Sequence, residues 1–323
     1  MDFKNSKVLV AGGTGLVGIP LVKLLIKLGA KVRIASLDDP SRSHPQAEFL
    51  QLDLIDYDNC LNACQGVNYV FNLLCAKGSP GMVKRFPATM MRPMVKFNIN
   101  LIDAAIQTKV NGFLYTSSVG VYYPAAILNE DDTEKNPPPP NDFAGRAKLY
   151  GEWYATAIAI EHNLKVTIVR PSNIYGPYDN FDSVNATVIP SLIKRAVSGE
   201  NPFVVWGDGS QIRDFIFSED VARGMILTAE KAKEPVNLGS GKGVSIKELV
   251  NIIVSNINPR PEIVFDTSKP TGDKIRLMDI TRARSIGFKP IVTLEKGIKE
   301  TINWYKENKD KTDNRYDIFD KAP

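Results

Sequence analysis

The chain has 323 residues, 43% of them hydrophobic, and Lys+Arg 40 against Asp+Glu 36 leaves a net charge of +4. That length holds one large α/β domain or up to two units with a substantial core, and so mild and scattered a charge argues against nucleic acid as a partner while suiting a small anionic ligand. Three cysteines (Cys60, Cys64, Cys75) and two histidines (His44, His162), in no ligand-like spacing, argue against a metal site and for a reducing compartment.

A strand is expected from Lys7 to Val10, too early for a signal-peptide layout, and no apolar run reaches membrane-spanning length. A soluble, cytoplasmic protein with no membrane partner is the expectation. The strand enters Gly12-Gly13-Thr14-Gly15-Leu16-Val17-Gly18, and an amphipathic helix follows at once over 17–28, with Leu21, Leu24, Leu25 and Leu28 on one face. Glycines at 12, 15 and 18 let backbone N–H groups approach a pyrophosphate whose charge the helix N-terminus favours. Ordinary turn glycines are the alternative at this point.

Further strands are expected at 32–36, 49–53, 69–73, 112–116 and 165–170. They alternate with helices at 56–65, 92–109 and about 148–161. Nearly all-apolar strands alternating with helices predict a doubly wound parallel α/β sheet covered on both faces. Glu134–Asn141, with four consecutive prolines, reads as a surface loop. After Pro171 turns are denser and short strands (203–206, 263–265) appear. The expected division is a dinucleotide-binding unit, 1–175, and a smaller α/β unit, 176–323, with a return to the main sheet near 235–239.

Strand 112–116 runs into Thr116-Ser117-Ser118, beyond the carboxyl end of a strand where such sheets bind ligands. These hydroxyls suit contact with a reacting oxygen, though Ser and Thr also simply terminate strands. Lys148 suits a nicotinamide ribose, where its charge lowers a neighbouring pKa, or is a solvated helix lysine.

The order of several motifs goes further. They are the glycine turn, Asp53-Leu54, Asn72-Leu73, Thr116–Tyr122, Lys148 with Gly151-Glu152, Arg170–Pro177 and Trp206–Ile216. Together they resemble the extended short-chain dehydrogenase/reductases of the nucleotide-sugar epimerase/dehydratase group over nearly the whole chain. Gly176–Phe181 and Asp266–Gly272 look most like the GDP-fucose-synthase-like members.

The resemblance implies a Rossmann-type fold and an NAD(P)-dependent oxidoreductase or epimerase acting on a nucleotide sugar, with a GDP-hexose favoured. It implies Ser118 and Lys148 as catalytic residues. Gly12, Thr14, Gly15, Leu16, Val17, Gly18, Ser36, Asp53, Leu54 and Lys148 are implied for the cofactor, and Asn173, Arg213 and Arg276 for the substrate. NADP is favoured over NAD, because Ser36 stands where NAD-preferring relatives carry an acid and Arg33 and Arg42 lie near enough to meet a 2′-phosphate. Asp38 is the alternative ribose contact. A homodimer through the lysine-bearing helix is expected.

Three departures stand against this. The group's acid/base tyrosine stands one helical turn before the lysine, where this chain has Ala144. The cysteine and histidine of the fucose synthases are replaced by Gly120 and Tyr178. Alanine cannot carry a proton, so Tyr178 and Tyr122 are candidate replacement hydroxyls. The other reading is a catalytically impaired or regulatory protein that binds dinucleotide and nucleotide sugar.

Overall fold

Val8 and Val10 of the first strand, β1 (Lys7–Ala11), face one layer of helices, and Leu9 and Ala11 face another; all four are fully buried. A strand sealed on both faces belongs inside a parallel sheet. The computed structural model describes residues 3–76, 78, 80–182, 185–269 and 272–311. Pro270 and Thr271 of the Asp266–Gly272 motif lie outside them, as do residues 312–323 of the expected second unit.

After β1 come α1 (Gly18–Lys27), β2 (Lys31–Ser36), β3 (Glu48–Gln51), α2 (Tyr57–Cys64), β4 (Tyr69–Asn72), α3 (Pro80–Arg85), α4 (Pro87–Gln107) and β5 (Gly112–Thr116). Next are β6 (Ile127–Leu128), α5 (Asp132–Lys135), α6 (Phe143–His162), β7 (Lys165–Pro171), β8 (Asn173–Tyr175), α7 (Val188–Val197), β9 (Phe203–Trp206), β10 (Ile212–Phe217) and α8 (Ser218–Lys231). The chain continues through β11 (Val236–Leu238), β12 (Gly243–Ser245), α9 (Ile246–Val254), β13 (Ile263–Asp266), β14 (Ile275–Met278), α10 (Thr281–Ser285) and α11 (Leu294–Asn308).

Seven strands form the main sheet in the order β11-β7-β5-β4-β1-β2-β3, every neighbouring pair parallel. Val10 stands between Ile34 of β2 and Phe71 of β4. Strand order reverses between β1 and β4, and ligands of open α/β sheets bind at such a switch point. Leu21 and Leu25 of α1 and Val221 and Met225 of α8 cover one face. Cys60 of α2, Leu101 and Ile102 of α4 and Ala147 and Ala155 of α6 cover the other.

The sheet is thus wound on both sides, as expected, and β11 returns to it beside β7 from late in the chain. A third core gathers Phe181, Ile189 and Ile193 of α7, Leu249 and Ile253 of α9 and Ile298 and Ile302 of α11. A second sheet, β12-β10-β14-β6, has β8 paired to β10, and β9 pairs β13.

Two expectations need correction. Glu134 and Lys135, expected in a loop, close the short helix α5; the prolines act only from 137 onward. The helix expected from Arg92 begins at Pro87, with Pro93 inside it. Pro87 stands at the start of the helix, where a missing N–H costs nothing. Pro93 is buried and lines a cavity described below.

Candidate active site

The glycine turn obeys a backbone requirement that only glycine meets cheaply. Gly12 has φ of 82°, in the left-handed region. A Cβ on Gly18 would stand 2.3 Å from the Gly12 carbonyl oxygen, so the helix can lie this close to the turn only without a side chain. A pyrophosphate cradle needs that close approach.

The turn opens one end of a cavity of about 1130 Å³ that runs along the carboxyl ends of the main-sheet strands. Of the residues expected to carry function, Gly12, Thr14, Gly15, Leu16, Val17, Gly18, Ser36, Asp53, Leu54, Ser118, Lys148 and Asn173 all line it. Asp53 and Leu54 do so from the loop after β3, which ends at Gln51 rather than at 53.

At the far end, Ser118 has an extended backbone and caps a short turn, its Oγ accepting from the Gly120 N–H at 3.1 Å. That contact leaves the hydroxyl proton to donate elsewhere. Lys148, only 4% exposed, donates from Nζ to the backbone oxygens of Thr116 (2.8 Å) and Leu74 (3.1 Å). One N–H of an ammonium remains after those two bonds. Burial lowers the Lys148 pKa below the ordinary lysine range.

A buried chain fixes this lysine. Asn72 donates to Asn98 (2.8 Å), Asn98 to the Tyr115 hydroxyl (3.2 Å), and that hydroxyl to the Lys148 backbone oxygen (3.1 Å). Behind α6, Glu152 takes both Nε (2.9 Å) and a terminal nitrogen (2.6 Å) of Arg170, both residues buried. Thr116 and Ser117 line the cavity, and their buried hydroxyls have no hydrogen-bond partner in the protein. Buried polar atoms are normally satisfied, so these two are exceptions.

The residues expected to replace the tyrosine do not reach the cavity. Ala144 is half-buried against the apolar layer of α4 and α6. The Tyr122 hydroxyl is buried, donating to Asn237 (2.5 Å) and accepting a second bond from Arg170 (3.1 Å), and burial raises its pKa. Tyr178 packs its ring 5.0 Å from that of Trp304, with its hydroxyl 3.4 Å from the Lys23 amine. Neither tyrosine lines the cavity.

Arg33 is also corrected: it is buried, donating to the backbone oxygens of Ala63 and Gln65 at 2.9 Å each and pairing with Glu48, so it is spent on structure. Arg213 and Arg276 lie outside the cavity lining, as register partners on β10 and β14. Arg213 donates to the Asp273 backbone oxygen and Arg276 to its carboxylate, each at 2.7 Å. Burial, then the adjoining Arg276, disfavour the Arg213 charge; two neighbouring guanidiniums suit an anion.

The residue reading passed over Asn180, Asp182, Asn185 and Thr187, which line the cavity from the loop before α7. The polar run beyond Gly176-Pro177 was their signal.

Comparison with known proteins now bears on this geometry. The profile of the NAD dependent epimerase/dehydratase family matches residues 8–239, from β1 to just past β11. The chain belongs to that family. It is 33% identical over 319 residues to a protein named probable GDP-L-fucose synthase 1 of Oryza sativa subsp. japonica, covering 94% of this chain and 93% of the relative. Among solved structures, a UDP-glucose 4-epimerase of Thermotoga maritima with UDP-glucose superposes with a TM-score of 0.82 at 26% identity, covering 94% of this chain and 99% of that one. A GDP-L-fucose synthetase of Naegleria fowleri bound to NADP gives 0.79 at 25% identity, covering 95% of each chain.

Proposed function

We propose that this chain binds NAD or NADP and a nucleotide-linked hexose, with GDP as the base carrier, and catalyses an oxidation–reduction at a sugar carbon with an atypical proton route. The supporting observation is the shared cavity: a glycine cradle, Ser118, Lys148 and Asn173 meet along one wall of strand ends. The nicotinamide, when bound, supplies the hydride chemistry. The rest falls to this chain's own side chains.

The cradle suits the cofactor's pyrophosphate because Gly12 and Gly18 carry no side chain where the turn meets the start of α1. Lys148 offers its remaining N–H and its charge to ribose hydroxyls. Ser118 offers its free proton to the sugar oxygen, steadying the charge that grows there. Arg213 and Arg276 suit the sugar's diphosphate. Cofactor and substrate residues are assigned here as in the sequence reading, with Arg213 and Arg276 acting from beyond the main cavity.

The second reading, a binding protein with weak or no turnover, is favoured by Ala144. At the position one helical turn before Lys148, Ala144 has no ionisable group to give or take the proton. The discriminating experiment incubates the purified chain with GDP- and UDP-hexoses and either dinucleotide, following cofactor absorbance and sugar products. Turnover supports the enzyme. Tight binding in calorimetry with no product supports the second reading, and binding of neither ligand overturns both.

We further propose a homodimer through α6, whose outer face carries Phe143, Tyr150, Trp153 and Ile160, the last 82% exposed. Large apolar side chains at this spacing on a long helix suit a helix-bundle contact. Sedimentation of Trp153→Lys should yield a monomer where the unmodified chain yields a dimer.

A further inference from the structure

The three thiols of the chain sit in unlike places, and one of them stands on the cavity wall. Cys60 and Cys64 are fully buried on α2, burial pushes both thiols above the ordinary cysteine range, and neither lines the cavity. Cys75 is exposed and lines the cavity just beyond β4. Its Sγ lies 3.4 Å from the Ala76 backbone oxygen, a weak contact for a thiol.

This thiol has charged and polar company. The backbone oxygens of Leu74 and Thr116 hold the Lys148 ammonium, at 3.1 and 2.8 Å. Cys75 directly follows the first of these residues and Ser117 the second. The ends of β4 and β5 thus bring a thiol, an ammonium and a hydroxyl to one stretch of wall. Burial disfavours the charge on Lys148 and a charge on Cys75 favours it, so the two groups are within electrostatic reach of each other. Ser117 is 4% exposed and lines the cavity, and its buried hydroxyl has no partner in the protein.

We infer that Cys75 is a covalent-modification site for small disulfides, and that its modification closes the cavity to the dinucleotide. This rests on the dinucleotide reading above, in which Lys148 offers its remaining N–H to a ribose. Even a short chain attached to Cys75 occupies the wall where that ribose belongs. In the modifying step Cys75 gives its proton to solvent, and the thiolate attacks one sulfur of the disulfide. That S–S bond breaks as a new one forms to Cys75. The displaced sulfur leaves with the electron pair and takes up a proton as a thiol. The Cys75 sulfur is thereby oxidised and the displaced sulfur reduced, and excess thiol runs the exchange backwards.

The test treats the full chain with hydroxyethyl disulfide and follows intact mass, peptide mass, and NADH and NADPH binding by cofactor fluorescence. The folded chain should gain one attached group, on Cys75, with Cys60 and Cys64 reacting only once denatured. The modified chain should bind both dinucleotides at least about tenfold more weakly, the scale of one lost hydrogen bond to a charged group, and excess thiol should restore binding. Dinucleotide at ten times its Kd leaves roughly a tenth of the chain free, so it should slow the modification about tenfold. Cys75→Ser should bind the dinucleotide as before and ignore the disulfide. Attachment at Cys60 or Cys64 of the folded chain, equal binding before and after treatment, or no protection by bound dinucleotide overturns this inference and leaves the dinucleotide site standing. Failure of both dinucleotides to bind the untreated chain overturns the inference together with the reading it rests on.

Discussion

Around β1, β2 and β3 the cavity's polar groups are bonded to one another: Thr14, Ser36 and Asp38 form a closed set, and the glycine turn is packed too tightly for side chains. Around β5 and α6, by contrast, Thr116 and Ser117 hold orphaned hydroxyls, and Ala144 offers nothing ionisable beside a buried lysine. The contrast separates recognition from chemistry. Holding a dinucleotide asks for backbone shape and fixed acceptors, which a sequence can keep indefinitely without turnover. Moving a proton asks for one group of suitable pKa at one place, and a single substitution removes it.

The largest test of that contrast is Ala144→Tyr. A hydroxyl one turn before Lys148 restores a proton carrier to the reacting end, and positioned acid/base groups contribute about 10²–10⁴-fold. Turnover with the best nucleotide sugar should rise on that scale while NADH affinity changes little. A fall in turnover would break the comparison, because it would mean that the reacting end is already complete by another proton route.

Next in size is Glu152→Ala. It strands the Arg170 guanidinium in the interior, and breaking such a pair costs about 3–5 kcal/mol. Denaturant unfolding should show a loss of that size. Because Lys148 rides on the same helix, affinity for the dinucleotide should fall with it. Full stability in the variant would mean that Tyr122, Thr133 and the Glu130 backbone, which also meet Arg170, suffice to hold it.

Much of this was legible in the residues. Alternating apolar strands and helices gave the doubly wound sheet, and the ends of β2, β5 and α1 fell within a residue or two of expectation. Glycine spacing gave the cradle because backbone strain is local. What sequence could not give was side-chain allegiance. Arg33 looked available for a phosphate because it precedes the end of β2. Only the packed structure brings the last turn of α2 and Glu48 against it. Tyr122 looked like a spare hydroxyl until β11 brought Asn237 to it from far along the chain. In both cases the deciding partner is remote in sequence, and local patterning carries no record of it.

A smaller effect probes the orphaned hydroxyls. Ser117→Ala removes an atom that bonds nothing in the protein, so unfolding stability should hold or rise slightly. A hydrogen bond gained only with ligand is worth about 0.5–1.5 kcal/mol. Calorimetry should therefore show weaker binding of dinucleotide or nucleotide sugar by up to about tenfold with no loss of melting temperature. Lost stability with unchanged affinity would make Ser117 a structural residue and narrow the gap between the two ends of the cavity.

The smallest effect concerns pH at Lys148. Burial lowers its pKa, so between that value and the 10.5 of an exposed lysine the unfolded chain holds a proton that the folded chain has released. Stability from this residue therefore rises with pH through that window. Dinucleotide affinity moves oppositely, because deprotonation removes the cation and one donor from the ribose site. Tyr115 and Tyr122, whose hydroxyls burial holds protonated in the fold, add a background of falling stability at alkaline pH. The difference between the unmodified chain and Lys148→Met isolates the lysine. Paired melting and NADH titrations across mildly alkaline pH should show the difference in stability climbing while the difference in affinity shrinks. Identical pH slopes in both proteins would show that Lys148 does not hold the ribose through its charge, and the reacting end would then lack its cation as well as its phenol.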